Sequence, residues 1–206
     1  MHTEHMTGGV VLCGGLSTRM GTPKAMLPFG PETMLQRVVR LLGTVVSPIV
    51  VVAAEAQELP ALPDGIILTH DEREASGPLE GIRAGLAALP EQVDAAYITS
   101  CDVPLLVPAF VQRMIELAEG YDIAITENDG FAHPLSAIYR RTALPHAVAL
   151  LAEDQLRVSY LFQRVRTRRV PASEMRSVDP ELETLRNLNT KDDYLAALAA
   201  AGYQPR

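Results

Sequence analysis

The residues most suited to chemistry lie in one short stretch, VVLCGGLSTRMGTPKAML at residues 10–27. An apolar run typical of a buried strand is followed by three glycines, with Arg19 and Lys24 as the basic residues. Glycines let backbone N–H groups approach a ligand without an intervening Cβ, and such a loop after a strand forms a concave set of donors for phosphate oxygens. Arginine and lysine side chains add full positive charges. The stretch therefore predicts a loop that binds a polyphosphate.

The spacing within this loop excludes two common kinds of phosphate site. A Walker A loop has lysine directly after its last glycine, whereas here Thr22 and Pro23 separate Gly21 from Lys24. The dinucleotide fingerprint G-x-G-x-x-G is not matched by these glycines either. The alternative is a glycine-rich turn in which the basic residues have no function. Pro23 and the apolar residues that resume at 26–27 argue against it.

Two aspartates follow other apolar runs. Asp102 ends the run at 95–102, and Asp71 directly follows the run at 65–70. Open α/β folds bind ligands at the carboxyl ends of their strands, and Mg²⁺ usually takes one or two protein carboxylates together with waters and substrate phosphates. Asp102 is therefore a candidate Mg²⁺ ligand, with a turn cap as the alternative. Asp71 alone could equally be a surface acid.

Length, charge and cysteine content narrow the class of protein. The 206 residues suffice for one domain with a sizeable core, and the net charge of −7 argues against nucleic acid or an anionic membrane as a partner. The sequence shows neither an apolar run of membrane-spanning length nor a signal-type N-terminus, so a cytoplasmic location is expected. Cys13 and Cys101 form no C-x-x-C pair, which fits a reducing compartment.

Apolar strand-like runs alternate with helical patterns, which predicts an α/β fold of three layers with a mostly parallel sheet. The predicted strands are 9–13, 48–54, 65–70, 95–102, 121–127, 133–140 and 167–172. The predicted helices are 34–42, 77–89, 107–119, 144–152, 159–164 and one that begins at Thr190. We expect one domain over 1–206, with a nucleotide-binding half at about 8–105 and an acceptor-binding half at about 106–202.

The segment LCGGLSTRMGTPKA at 12–25 closely resembles the signature L-x-G-G-x-S-x-R-M-G-x-x-K of the nucleotidyltransferase family that includes molybdenum cofactor guanylyltransferase. Three further segments match that family in order: GPLEGI at 77–82, CDVP at 101–104 and NLNTKDDY at 187–194. The resemblance thus spans the chain. It implies a Rossmann-like nucleotidyltransferase fold, in which the glycine loop cradles a triphosphate and the aspartate of the C-D-x-P segment holds Mg²⁺.

The resemblance also implies roles for individual residues. The implied catalytic residues are Arg19, Lys24 and Asp102, the last also as metal ligand. The implied substrate-binding residues are Leu12, Cys13, Gly14, Gly15, Lys24, Asp71, Gly77, Pro78, Gly81 and Asp102.

The implied reaction is Mg²⁺-dependent transfer of GMP from GTP to the terminal phosphate of molybdopterin, with release of pyrophosphate. Proteins that deliver the cofactor or receive it would be transient partners. Guanylyltransferases often carry an asparagine just after the second strand, where this chain has Ala53-Ala54-Glu55. Cytidylyl transfer to the same cofactor, transfer to a sugar phosphate and a non-catalytic nucleotide-binding module are the alternatives.

The acceptor half contains a group of basic residues whose role is open. It comprises Arg157, Arg164, Arg166, Arg168 and Arg169. The group would form either a docking patch for the acceptor phosphate or a solvated face. His133 resembles a family segment that lines the acceptor cleft, and a structural role is the alternative.

Overall fold

The structure, a computed structural model, describes residues 6–14, 23–71 and 77–204. Its strands are β1 (Met6–Leu12), β2 (Pro28–Phe29), β3 (Glu32–Thr33), β4 (Ile49–Ala53), β5 (Ile67–His70), β6 (Val93–Ser100), β7 (Ile123–Asn128), β8 (Phe131–Arg140) and β9 (Thr167–Pro171). Its α-helices are α1 (Met34–Leu42), α2 (Pro78–Ala88), α3 (Pro108–Leu117), α4 (Leu144–Ala152), α5 (Val158–Arg164) and α6 (Lys191–Ala200).

Seven of the strands form one mixed sheet in the order β5-β4-β1-β6-β8-β7-β9. The pairs β5–β4, β4–β1, β1–β6 and β7–β9 are parallel, and β8 runs antiparallel to both of its neighbours. β1 and β6 are adjacent and end level with each other, since Leu12 pairs with Ser100. Residues 13–14 after β1 and residues 101–102 after β6 consequently leave the sheet side by side.

Helices cover both faces of the sheet, which confirms the predicted three-layer α/β architecture. Successive residues of a strand point to opposite faces, so Val11 packs with α1 and α3 while Val10 packs with α2, α4 and α5. Both valines are fully buried. Because β4 lies inside the sheet and is covered on both sides, it is apolar throughout, with the sequence IVVVA, rather than alternating in polarity.

The elements predicted from hydrophobic patterns are present, with ends that differ by up to three residues. β6 ends at Ser100 rather than at Asp102, which places Asp102 in the turn beyond the strand. Thr33 and Thr190 begin α1 and α6 with capping boxes. Each threonine side chain accepts a hydrogen bond from the backbone N–H of the third helical residue, whose own side chain accepts one from the N–H of the threonine.

The small hairpin of β2 and β3 was not predicted, since strands of two residues are too short to show periodicity. The hairpin packs against α6 through a separate apolar cluster, here named the C-terminal cluster. Its buried members are Phe29, Met34, Leu188, Ala197 and Leu198, and Leu105 and Tyr203 are among the partly buried residues packed against them.

The described ranges, 6–14, 23–71 and 77–204, contain no helix with the length and apolar character that a membrane crossing requires.

Helix α2 lies unusually close to β1 at Gly85. A Cβ at this glycine would lie 2.3 Å from Cγ1 of the buried Val10. Glycine therefore lets the helix approach the strand whose end carries the glycine loop.

We expect Gly85→Ala to destabilise the protein although alanine is the better helix former. The propensity gain of about 1 kcal/mol is opposed by overpacking that costs about 1–3 kcal/mol. Urea unfolding of Gly85→Ala, Val10→Ala and the double variant checks this, and the double variant should lose less stability than the two single losses added. Increased stability of Gly85→Ala would contradict the close-packing argument.

Candidate active site

A lysine and an aspartate that are far apart in sequence meet at the carboxyl edge of the sheet. Nζ of Lys24 lies 2.8 Å from Oδ2 of Asp102, and both side chains are mostly buried, with exposed fractions of 18% and 14%. Lys24 begins a short 3₁₀ turn, Lys24–Met26, directly after Pro23. The structure thus brings together the loop cation and the strand-end acid that the sequence singled out.

Two asparagines from the segment before α6 complete this pair. Oδ1 of Asn189 accepts a hydrogen bond from Lys24 Nζ at 3.0 Å, and Nδ2 of Asn187 donates to Asp102 Oδ1 at 3.4 Å. Leu188 between them is buried in the C-terminal cluster, and its N–H donates to the Asp102 carbonyl at 2.9 Å. Alternation of side chains about the buried leucine therefore turns both amides toward the ion pair.

The Asp102 carboxylate is held from a third direction by the strand that precedes it. Ser100, the last residue of β6, donates its hydroxyl hydrogen to Asp102 Oδ1. The carboxylate therefore contacts an ammonium, a hydroxyl and an amide. Such a set orients the carboxylate firmly while keeping it at the surface of a cavity.

A cavity of about 380 Å³ opens beside this carboxylate. It is lined by Leu12, Gly14, Val52, Asp71, Gly77, Pro78, Gly81, Ser100, Asp102, Leu135 and Asn187. Seven residues predicted to bind substrate are among them, namely Leu12, Gly14, Asp71, Gly77, Pro78, Gly81 and Asp102. The structure thus gathers residues from four separate segments of the chain around one opening.

Asp71 has an unusual position on the wall of this cavity. Its Oδ1 is buried and has no hydrogen-bond partner among the described residues. Burial and the nearby charge of Glu80 raise the pKa of Asp71 above its usual value. A Cβ at Gly14 would lie 2.9 Å from its Oδ2, so the glycine at this position leaves the carboxylate open to the cavity. An unsatisfied buried carboxylate oxygen is suited to accept a hydrogen bond from a ligand.

Gly77 is required by backbone geometry. Its φ of 71° and ψ of −169° lie in a region that side-chain-bearing residues rarely adopt. Gly77 forms the N-cap of α2, and Pro78 follows as the first helical residue. Gly77 therefore both caps α2 and lines the cavity.

The Cys13 side chain does not face the cavity. Cys13 and Cys101 are both buried in the core on the other side of the strands. A hydrogen bond with the Cys101 thiol, together with burial, raises the pKa of Cys13 well above its usual value. The backbone of Cys13 is also engaged, its N–H by Val52 and its carbonyl by Gln57. A substrate contact by Cys13 stays a prediction that its side-chain position does not favour.

Gly15 and Arg19, the remaining residues of the predicted glycine-loop site, lie outside the described residues. Their predicted roles rest on the sequence.

The arginines of the acceptor half are not gathered at the cavity. Four of them pair with acids, Arg164 with Glu153, Arg166 with Asp122, Arg168 with Glu174 and Arg169 with Glu127. Arg166 precedes β9 and Asp122 precedes β7, and both strands run parallel to β6, so this pair lies at the sheet edge opposite Asp102. The solvated-face interpretation fits this placement.

His133 lies on β8, where it pairs with Thr126. It is half-buried, and burial lowers its pKa, which favours the neutral imidazole. Two positions away, Leu135 does line the cavity. The sequence analysis singled out His133 in this segment, whereas the residue of the segment that lines the cavity is Leu135.

Sequence reasoning missed Ser100, Leu135 and Gln57 as residues of the site. Gln57 donates its side-chain N–H to the Cys13 carbonyl at 3.1 Å, which fastens the start of the glycine loop. No motif marks these residues. Ser100 alone had a usable signal, because a hydroxyl two residues before a strand-end aspartate can reach its carboxylate.

The donor set at Asp102 suits a hard divalent cation that takes most of its ligands from elsewhere. Across 6–14, 23–71 and 77–204, no three histidine, cysteine, aspartate or glutamate side chains are grouped to hold a metal. A closed zinc-type cage of protein ligands is therefore not formed by these residues. One carboxylate beside a cavity fits Mg²⁺ or Mn²⁺, whose remaining ligands would be waters and phosphate oxygens.

Comparisons with known proteins place these features in one family. The model of the MobA-like NTP transferase domain matches residues 9–169. A probable molybdenum cofactor guanylyltransferase from Methanosarcina acetivorans is 35% identical over 196 residues, which cover 89% of this chain and 86% of that protein. The molybdenum cofactor guanylyltransferase of Desulfosudis oleivorans is 31% identical over 194 residues, with 93% and 94% covered.

Solved structures share the fold at lower sequence identity. The molybdopterin-guanine dinucleotide biosynthesis protein A from Archaeoglobus fulgidus superposes with a TM-score of 0.78 at 20% identity, over 96% of this chain and 99% of that one. A Mycobacterium tuberculosis protein solved in complex with manganese gives a TM-score of 0.65 at 20% identity, over 95% and 99%. The match to the family model over most of the chain and the identity to full-length relatives show that this chain belongs to the MobA-like nucleotidyltransferases.

Proposed function

We propose that this protein transfers GMP from GTP to the terminal phosphate of molybdopterin, with release of pyrophosphate. The observation that carries the proposal is the contact of Lys24 with Asp102 beside a cavity bordered by the glycine loop. The names of relatives at 31–35% identity supply the nucleotide and the acceptor.

The chemistry is an in-line displacement at the α-phosphorus of GTP. An acceptor phosphate oxygen forms the new P–O bond, and the bond from the α-phosphorus to the bridging oxygen of pyrophosphate breaks. Because a phosphate monoester is already ionised at neutral pH, the step needs no general base. Catalysis then consists of positioning the two phosphates and neutralising charge on the departing pyrophosphate.

Lys24 would change partners when the nucleotide binds. In the structure its ammonium is shared by Asp102 Oδ2 and Asn189 Oδ1. A triphosphate tail offers several anionic oxygens, which would draw the ammonium to the β- and γ-phosphates, while Asn189 keeps it within reach of both. Arg19 would add a second cation to the same phosphates.

Asp102 would hold the divalent cation that the reaction requires. When bound, the cation would act as a Lewis acid that neutralises the phosphoryl oxygens. Movement of Lys24 to the phosphates would free Oδ2, while Ser100 and Asn187 continue to orient the carboxylate through Oδ1.

Asp71 would contact the nucleotide through its unpartnered Oδ1. The donors that a guanosine offers to a carboxylate are base N–H groups and ribose hydroxyls. Lacking the asparagine that guanylyltransferases often carry after the second strand, this chain would rely more heavily on Asp71 for the nucleoside. That departure keeps cytidylyl transfer to the same acceptor as the second candidate.

Pyrophosphate release with each of the four nucleoside triphosphates, with and without molybdopterin, tests the function. We expect release with GTP only when the acceptor is present, loss of release with EDTA, and recovery with Mg²⁺ or Mn²⁺. Release with CTP in place of GTP would replace the guanylyl proposal by the cytidylyl one. No release with any nucleotide and acceptor would reject transfer altogether.

Lys24→Ala should lower turnover by about a hundredfold or more, because one preorganised charge on the phosphates is lost. Lys191→Ala is the matched control, since it removes the only other lysine, which is exposed at the start of α6. Steady-state rates and thermal unfolding of both variants check this. Near-normal turnover of Lys24→Ala with an intact fold would refute its role.

GTP binding should weaken at acidic pH in a range above that of an ordinary aspartate. A ligand donor binds the ionised Asp71, and because the pKa of Asp71 is raised, that form is lost early as the pH falls. Calorimetric titration of GTP across pH should show this loss of GTP affinity for the wild type and for the exposed control Asp64→Asn. Asp71→Asn should bind GTP more weakly at neutral pH, and its affinity should not fall further in this acidic range. An unchanged pH dependence of GTP affinity in Asp71→Asn would contradict the contact.

A further inference from the structure

One side chain outside the cavity joins the segments that carry the site. Arg37 lies on α1 with only 15% of its side chain exposed, and nothing in the phosphate chemistry uses it. Its neighbours are the hairpin that follows Lys24, the turn that follows Asp102 and the end of the chain after α6. Its surroundings therefore differ from those of an ordinary surface arginine.

The contact with the Asp102 turn is a short hydrogen bond. Nε of Arg37 donates to the Pro104 carbonyl at 2.7 Å, two residues beyond Asp102. A bond from a charged donor is stronger than one between neutral groups, and this one is partly buried. Arg37 therefore fixes the backbone of the turn that presents the carboxylate.

The contacts with the other two segments are cation–π contacts. Its central carbon lies 4.9 Å from the ring centroid of Phe29 and 5.7 Å from that of Tyr203. Phe29 is fully buried in the hairpin that begins four residues after Lys24, and Tyr203 follows α6. Cation–π contacts of this kind are attractive and become stronger when the groups lose their contact with water.

Only arginine can make these contacts at once. Its guanidinium donates from Nε while its central carbon lies over two rings, whereas a lysine has no Nε–H at that position and carries its charge on a single ammonium. Glu32 of the same hairpin lies 3.4 Å from Arg37 Nη1 and balances its charge. Arg37 thus contacts both the Lys24 hairpin and the Asp102 turn.

We propose that Arg37 is a positioning residue that sets the separation of Lys24 and Asp102, and so the geometry in which the cation and the triphosphate are held. The proposal rests on the proposed function for its turnover readout. Loss of Arg37 frees the Pro104 carbonyl and loosens the hairpin from the turn, so Asp102 and Lys24 no longer face each other at a fixed distance.

The chain supplies a matched control one turn further along α1. Arg40 pairs with the same Glu32, at 2.7 Å from Nη2 to Oε1, but its side chain is 53% exposed. Among the described residues, the side chain of Arg40 donates hydrogen bonds only to Glu32. Replacing Arg40 therefore removes one positive charge from the same helix and one contact with the same hairpin. It leaves the hydrogen bond to the Asp102 turn in place.

The test compares Arg37→Met, Arg37→Lys and Arg40→Met with the wild type. Turnover is measured as pyrophosphate release, and Mn²⁺ binding in the presence of GTP is measured by the electron paramagnetic resonance signal of free Mn²⁺. Both Arg37 variants should lose about tenfold or more in turnover and bind Mn²⁺ several-fold more weakly, because a small misplacement of reacting groups is costly. Arg40→Met should stay within about twofold of the wild type in both.

Tyr203→Leu provides a second variant in case Arg37→Met does not fold. It removes one aromatic face and keeps an apolar side chain, so it should shift Mn²⁺ binding and turnover in the same direction by a smaller factor. Thermal unfolding of every variant separates positioning from a general loss of stability.

Wild-type Mn²⁺ binding and turnover in both folded Arg37 variants would overturn the inference. Equal losses in Arg40→Met would also overturn it, since they would trace the effect to helix charge. If the wild type releases no pyrophosphate, the proposed function fails, and the Mn²⁺ comparison between Arg37→Met and Arg40→Met still decides the positioning role.

Discussion

The contact of Lys24 with Asp102 is the constraint on which the rest of the site depends. The two residues are 78 positions apart, and their charged atoms lie 2.8 Å from each other. Such a pair contributes little net stability, because each charge loses hydration when it is partly buried. The contact therefore does not explain why the segments meet, and the energy that holds them must come from packing elsewhere.

The C-terminal cluster supplies that packing. Each of the three segments that meet at the ion pair places an apolar residue in or against it: Phe29 follows Lys24, Leu105 follows Asp102, and Leu188 lies between the two asparagines. Full burial of a side chain of this size is worth about 1.5–3 kcal/mol, more than the ion pair contributes. Hydrophobic packing thus assembles the site, while hydrogen bonds and Arg37 determine its finer geometry.

Much of this arrangement could be predicted from the sequence where the signal was local. The strand predicted at 48–54 and the helix start predicted at Thr190 both appear in the structure nearly where they were expected. The position of Asp102 beside a cavity followed from the rule that open α/β folds bind ligands at the carboxyl ends of their strands. Asn187 contacts Asp102, 85 residues away, and Asn189 contacts Lys24, 165 residues away. Hydrophobic periodicity reflects local structure only, so it could not predict these contacts. The role of the arginines of the acceptor half stayed open in the sequence because their partners are acids distant along the chain, such as Asp122 for Arg166.

The choice of lysine at position 24 agrees with a site whose contacts must change during the reaction. This chain has only two lysines among eighteen basic residues, so arginine is its ordinary cation. An arginine beside Asp102 would form a planar two-point pair that a triphosphate must break as a unit. A lysine ammonium is a point charge on a flexible stem, held by single contacts to Asp102 and Asn189. It can pass from carboxylate to phosphate by rotation of its own side chain, while Arg37 and the packed backbone stay in place.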